Sequence, residues 1–414
     1  MSKTHLTEMN RRDVLRAGLS GMSVAAGTAL RVGVFGRAAE ALGAEADSNG
    51  KILVVLELSG GNDGLNTLVP YGDDAYYTRR PKIGLAKKSL RAIDDHFGFN
   101  RGMVGFERLY KDGKLAIVHG CGYENPSFSH FTSMAYWQTA APNSGEQYGW
   151  VGRLADSMAP DAPPNYLVNI GAQESLAVRS RRHVPVVFDD PNKFTQEAFA
   201  DEKPVLTASR SPEPQAADNP SRKFLLDIAR SASNSSKLVR QAWDKYHSPV
   251  DYGVNGLDLP KVVALIEAGF PTRLYYTSYR NNAFDTHVFQ NDVHQRLLTY
   301  TSDAVAAFLM DLKRIGRADD VVVMVFSEFG RRVPENSNLG TDHGTANLMF
   351  VAGAKVKGGY YGEIPSLSKL DAGDNLVYTT DFRRVYATMI AGWLGYRDTR
   401  MLLNGDFQPF GMFA

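Results

Sequence analysis

The sequence is short of the features that would tie it to several common settings. It has a single cysteine, Cys121, so no intramolecular disulfide can form, and a small buried residue is the expected role of that side chain. It has almost no charge excess, with 46 Lys and Arg against 45 Asp and Glu and a net charge of +1. That balance gives no electrostatic footprint for nucleic acid or for an anionic membrane surface. After the N-terminal region no apolar run reaches the roughly 18 residues of a membrane-spanning helix, so no transmembrane anchor is expected in the mature chain. No internal repeat is visible. Hydrophobic residues at 43% and charged residues at 22% are ordinary for a globular fold.

The first fifty residues read as an address. Asn10-Arg11-Arg12-Asp13-Val14-Leu15-Arg16 resembles a twin-arginine export signal, with Val14 where phenylalanine is commoner. The stretch from Ala17 to Leu30 is weakly apolar and rich in Gly, Ala and Ser, as expected of a signal that carries folded cargo. Asp13 and the glycines argue against a stable surface helix there. Cleavage is expected after Ala39-Glu40-Ala41 or Ala44-Glu45-Ala46, which place small residues at the required spacing. Residues 1–46 are therefore assigned to a signal peptide and 47–414 to one α/β domain with insertions, in the periplasm or secreted.

From Lys51 the texture changes. Ile52 to Leu58 is an almost unbroken apolar run stopped by Ser59-Gly60-Gly61, which is how a strand buried on both faces reads. Similar runs recur at 115–118, 166–170, 274–276, 321–326 and 348–351. Helical stretches are expected at 224–246 and 287–315, and a surface loop near 207–222. Alternating strands and helices predict a doubly wound, mainly parallel sheet with helices on both faces.

In such sheets ligands bind beyond the carboxyl ends of the strands. The first run is followed by Asp63, the second by His119 and then Ser127-Phe128-Ser129-His130. The fourth leads to Asp285-Thr286-His287, and the fifth to Glu328-Phe329-Gly330-Arg331-Arg332, then Asp342-His343. Singly, each has a plainer reading: a turn for Asp63, a helix cap for Asp285, a helix-dipole carboxylate for Glu328, a loop pair for Asp342 and His343. Jointly, carboxylates and imidazoles at several strand ends are what a metal site needs, with Zn²⁺ or Mn²⁺ as the expected ion and one or two ions per chain. If His287 and His294 shared one helix they would stand about 10.5 Å apart along its axis. Asp285 and His287 are therefore preferred as ligands, and His294 as a structural residue.

These motifs, in this order behind a twin-arginine leader, resemble a widespread bacterial family of unknown function that looks like a branch of the alkaline phosphatase and sulfatase superfamily. The resemblance runs from about Lys51 to the end. It implies an alkaline-phosphatase-like fold, with Asp63, Asp285, His287, Glu328, Asp342 and His343 as metal ligands and Ser127 or Ser129 as nucleophile. Phe329 stands where a paired histidine is expected, which weakens a second metal. Cys121 is followed by Gly-Tyr-Glu, not by Pro and Arg at the spacing of a formylglycine sulfatase.

The expected activity is metal-dependent hydrolysis of phosphate or sulfate esters, on a small-molecule or polysaccharide substrate. Arg331, with Arg332, is a candidate clamp for the oxyanion, and His119 or His130 a candidate proton donor. Two other classes stay open. One is a non-catalytic exported scaffold with a single metal, acting with a second exported protein. The other is a phosphomutase, against which the export signal counts.

Overall fold

The computed structural model describes residues 50–162, 164–194 and 234–414. The expected signal peptide and the expected loop near 207–222 lie outside the described residues. Of the helix expected at 224–246, residues 234–246 are described, and 234–245 are helical.

Strands β1 (Ile52–Leu58), β2 (Leu115–Gly122), β3 (Leu167–Ile170), β4 (Val186–Phe188), β5 (Leu274–Tyr279), β6 (Val321–Phe326), β7 (Asn347–Gly353), β8 (Gly359–Tyr361) and β9 (Thr380–Asp381) form one nine-stranded sheet. Its order is β8-β2-β7-β6-β1-β5-β3-β4, with β9 also paired to β2. All seven residues of β1 are buried. Ile52, Val54, Leu56 and Leu58 face one core, and Leu53 and Val55 the other, as period-2 alternation between two covered faces requires.

The first core is covered by helices α1 (Val104–Lys111), α4 (Leu259–Glu267) and α5 (Gln290–Arg314), through residues such as Phe106, Val262, Leu298 and Val305. The second is covered by α2 (His130–Thr139), α3 (Trp150–Met158) and α6 (Arg383–Ala387). There Trp137 stacks on Phe382 at 4.2 Å and Trp150 on Tyr386 at 4.3 Å between ring centroids. Such flat, fully buried aromatic pairs add to the burial of the rings themselves. Among the described residues no helix is long and apolar enough to cross a membrane.

Within this sheet every strand pair is parallel except those of β7, which runs against both β2 and β6. This one reversal matters for the site. The parallel strands β1, β2, β5 and β6 deliver the segments after their carboxyl ends to one edge of the sheet. β7 delivers the segment before its amino end, and so His343, four residues before Asn347, reaches the same edge.

One charged residue interrupts β1. The Glu57 carboxylate accepts hydrogen bonds from the Tyr276 hydroxyl, from Gln138 Nε2 at 2.9 Å and from Ser278 Oγ at 3.2 Å. Burial outweighs these bonds and pushes its pKa up to about 7. A folded-state pKa raised above the unfolded value means stability that is full at acid pH and lost as pH rises through about 7. Glu57→Gln is expected to remove that loss, so the variant gains about 2–3 kcal/mol over wild type at pH 8.5 and little at pH 5. Urea unfolding at the two pH values measures this, and an equal difference at both would contradict it.

Candidate metal centre

The site begins with a turn. After β1, Gly60 and Gly61 take φ of 119° and 76°. A Cβ on Gly60 would lie 2.5 Å from the Asp285 amide nitrogen, and one on Gly61 would lie 2.3 Å from the Phe329 ring. Only glycine permits both the conformation and the approach. The two amides then point at one carboxylate. Gly60 N donates to Glu328 Oε1 at 2.8 Å, and Gly61 N to Glu328 Oε2 at 3.0 Å. Glu328 Oε1 also meets His130 Nδ1 at 2.8 Å, and Oε2 accepts from Ser327 Oγ at 3.0 Å.

Three histidines surround Asp285, each held in the same way. His130 is fixed through Nδ1 by Glu328, His343 through Nδ1 by the Phe128 carbonyl at 2.7 Å, and His287 through Nδ1 by Asp342 at 3.3 Å. A carbonyl or an ionised carboxylate accepts only, so each Nδ1 is the donor in these bonds and each imidazole turns its Nε2 toward the centre. All three Nε2 atoms face the Asp285 carboxylate: His287 at 3.0 Å and His343 at 3.1 Å from Oδ1, and His130 at 3.4 Å from Oδ2. His130 Nε2 is buried and has no hydrogen-bond partner. Among the described residues, His130, Asp285 and His343 form a group whose ligand atoms all lie within 4.8 Å of one another. His287 Nε2 adjoins it, 3.0 Å from His343 Nε2.

The surrounding charges set the protonation of this group. Partial burial alone would raise the Asp285 carboxyl, but the hydrogen bond and charge of Arg331 hold it below the usual carboxylate range. The Glu328 hydrogen bond raises His130, and burial lowers His343. The Phe329 ring lies against both imidazoles, 4.9 Å from His130 and 4.7 Å from His343 between centroids, and closes the cluster on one side.

The structure thus brings together Asp285, His287, Glu328, Asp342 and His343 at one edge of the sheet. It differs on two residues of the expected site and adds one. Asp63 is fully buried but pairs with Arg80 Nη1 at 2.6 Å, accepts from Gln290 Nε2 at 2.5 Å and caps the short helix Gly64–Thr67. It is not part of the cluster. Arg331 is no free oxyanion clamp. Its Nε donates to the Gly61 carbonyl, Nη1 to that of Thr341, and Nη2 to those of Gly60 and Phe284 and to Asp285 Oδ1 at 2.8 Å. It fastens Asp285 from beneath. His130 is the residue the sequence reading underrates, although it too lies beyond a strand end.

Ser127 and Ser129 flank the Phe128 carbonyl that holds His343. Ser129 is the N-cap of α2 but makes no side-chain cap bond, whereas Ser127 Oγ accepts the Ser129 amide at 3.2 Å. Helix α5 begins at Gln290, between His287 and His294. His294 is buried and its Nε2 donates to Asn62 Oδ1 at 2.9 Å, a structural contact. Cys121 and His119 are buried, the latter held neutral with a pKa lowered to about 4 by burial.

The family described as "Protein of unknown function (DUF1501)" matches residues 50–402. No curated protein sequence matches the chain. Among solved structures, the lipoteichoic acid synthase of Listeria monocytogenes is similar at 10% identity over 89% of this chain and 80% of that one, with a TM-score of 0.43. A sulfatase from Pseudoalteromonas sp. is similar at 10% identity over 91% and 74%, with a TM-score of 0.40. A protein in the alkaline phosphatase superfamily from Vibrio parahaemolyticus is similar at 10% identity over 84% and 69%, with a TM-score of 0.37. These neighbours are members of the alkaline phosphatase and sulfatase superfamily.

Proposed function

The chain belongs to the DUF1501 family, and on that premise we propose that it is a metal-dependent hydrolase of phosphate or sulfate esters, with one divalent ion held by His130, Asp285 and His343. The observation that carries this reading is the convergence of three Nε2 atoms on Asp285, each imidazole being fixed through Nδ1 by an acceptor. Histidines anchored in this way, with a carboxylate beside them, are the donor set of Zn²⁺ and Mn²⁺ sites that keep a position open for substrate. Glu328 and Asp342 then act through the imidazoles they orient. Such an ion supplies Lewis acidity toward the oxygens of the ester.

The chain's own groups do the rest. Ser129, at the start of α2 with its hydroxyl free of a cap bond, is the nucleophile. Its Oγ forms the bond to phosphorus or sulfur, the ester alkoxide leaves with the hydroxyl proton as an alcohol, and water then releases the serine and the inorganic acid. Arg331 keeps Asp285 charged and in place. Phe329 excludes water from one side of the cluster, and its apolar wall favours a single ion. That wall is also what favours the second reading, an exported scaffold that holds metal without turnover. In either case residues 1–46 direct the folded chain out of the cytoplasm by the twin-arginine route, to act in the periplasm or outside, alone or with a second exported protein.

The test pairs metal analysis with turnover of p-nitrophenyl phosphate and p-nitrophenyl sulfate by zinc-loaded and chelated protein. Ser129→Ala is expected to keep the metal and to lose turnover by about a thousandfold or more. Metal retained with neither ester cleaved by the wild type would leave the scaffold reading.

A further inference from the structure

Among the described residues, every phenylalanine that stands exposed sits beside this cluster. Phe128 is 45% exposed, Phe131 89% and Phe289 70%. Phe128 and Phe131 bracket His130, and Phe289 comes two residues after His287 with the exposed Val288 between them. The Phe128 carbonyl is itself bonded to His343, so the rim is continuous with the cluster. Scattered exposed apolar residues are ordinary, but a patch gathered at one site marks a binding surface.

Phe289 is disfavoured on a second count. It holds φ of 45°, with its amide donating to the Asn338 carbonyl at 3.0 Å. Bulky residues rarely take the left-handed region, where Gly or Asn would sit without strain. Here a phenylalanine is kept there with its ring in water, as at sites where strain presents a side chain for use.

The character of the rim narrows its occupant. Residues 124–145 and 281–295 contain no Lys or Arg, so these two segments offer nothing to an anionic surface. Val288 has no ring face to stack on a flat sugar and suits methylene groups. We propose that the ligand of this site is an amphiphile, with an ester head at the His130–Asp285–His343 cluster and an apolar chain lying on Phe128, Phe131, Val288 and Phe289. This rests on the ester reading above and adds the class of substrate.

The test uses zinc-loaded full chain and the neutral apolar dye N-phenyl-1-naphthylamine. Wild type is expected to enhance dye fluorescence. Octyl phosphate, kept monomeric, is expected to displace the dye at a concentration about 100-fold below ethyl phosphate, since each buried methylene adds to affinity. In Phe131→Ala/Phe289→Ala, with zinc content checked as unchanged, the octyl preference is expected to fall to about threefold or less. No dye signal in wild type, or an octyl preference untouched in the double variant, overturns the proposal. Displacement by 1-octanol as effective as by octyl phosphate overturns the ester head instead, and so separates failure of the earlier reading from failure of the rim. Sedimentation with phosphatidylcholine vesicles, without binding of monomeric octyl phosphate, overturns it in favour of a membrane surface.

Discussion

Asp285→Ala is expected to strip the protein of its divalent ion and of ester cleavage together. Asp285 is the one side chain that all three Nε2 atoms and the buried Arg331 approach, at 3.0, 3.1, 3.4 and 2.8 Å. Without it, three imidazoles and a guanidinium face an empty space, and a cation gathered among them is repelled by Arg331. Elemental analysis is expected to fall from about one equivalent of Zn or Mn to about a tenth or less. Arg331 also loses its counter-charge while its side chain stays wholly buried, so stability drops by about 1–3 kcal/mol. Asp285→Asn separates the two effects. It keeps an oxygen for the Arg331 hydrogen bond and so recovers stability, yet it lacks the charge that the ion needs. Full metal occupancy in Asp285→Ala would remove the proposed centre.

Much of this was legible in the chain. Unbroken apolar runs stopped by Gly and small polar residues marked the strands, and the rule that ligands gather at strand ends picked out Asp285, His287, Glu328 and His343. The illegible parts have physical causes. A buried strand reads the same in either direction, so the reversal of β7 left no trace in Leu348 to Val351. A carboxylate after a strand looks alike whether it meets a metal or an arginine, and Arg80, the partner of Asp63, lies 17 residues on with no motif to announce it. Nothing local in the sequence shows that Glu328, 198 residues away, holds the His130 Nδ1. The resemblance placed Asp63 in the metal set, and the Arg80 contact speaks against it.

The second large effect arises from that contact. The Asp63–Arg80 pair is 2.6 Å long, with 1% and 0% side-chain exposure, and Arg80 also donates to the carbonyls of Val333 and Arg332. Breaking a buried pair from one side leaves an uncompensated charge, so Asp63→Ala is expected to cost about 3–5 kcal/mol. Metal content is expected to stay near that of wild type, in contrast to Asp285→Ala. Burial would raise the Asp63 carboxyl, but Arg80 holds it below its ordinary value. A depressed folded-state pKa gives stability that is full above the unfolded value of about 4 and is lost as pH falls through the folded one. Wild type is therefore expected to lose stability below about pH 4, and the variant to show less of this acid loss. Urea unfolding between pH 3 and pH 7, with metal analysis of both proteins, decides the matter. Loss of the ion with stability intact would return Asp63 to the ligand set.

The place of β7 has a consequence for how the chain is made. In the sheet it lies between β2 and β6, although it comes after both in sequence. Until residues 347–353 have left the ribosome and docked, β2 is not joined to the β6-β1-β5 half, and each half shows an open edge. A premature stop before this strand would leave one chain with two open strand edges, free to pair with neighbouring molecules. His130 follows β2, Asp285 follows β5 and His343 leads into β7, so the cluster is complete only once the chain has been made as far as β7. An ion held by His130, Asp285 and His343 would therefore be taken up only after that point, and metal content would report molecules that had reached it.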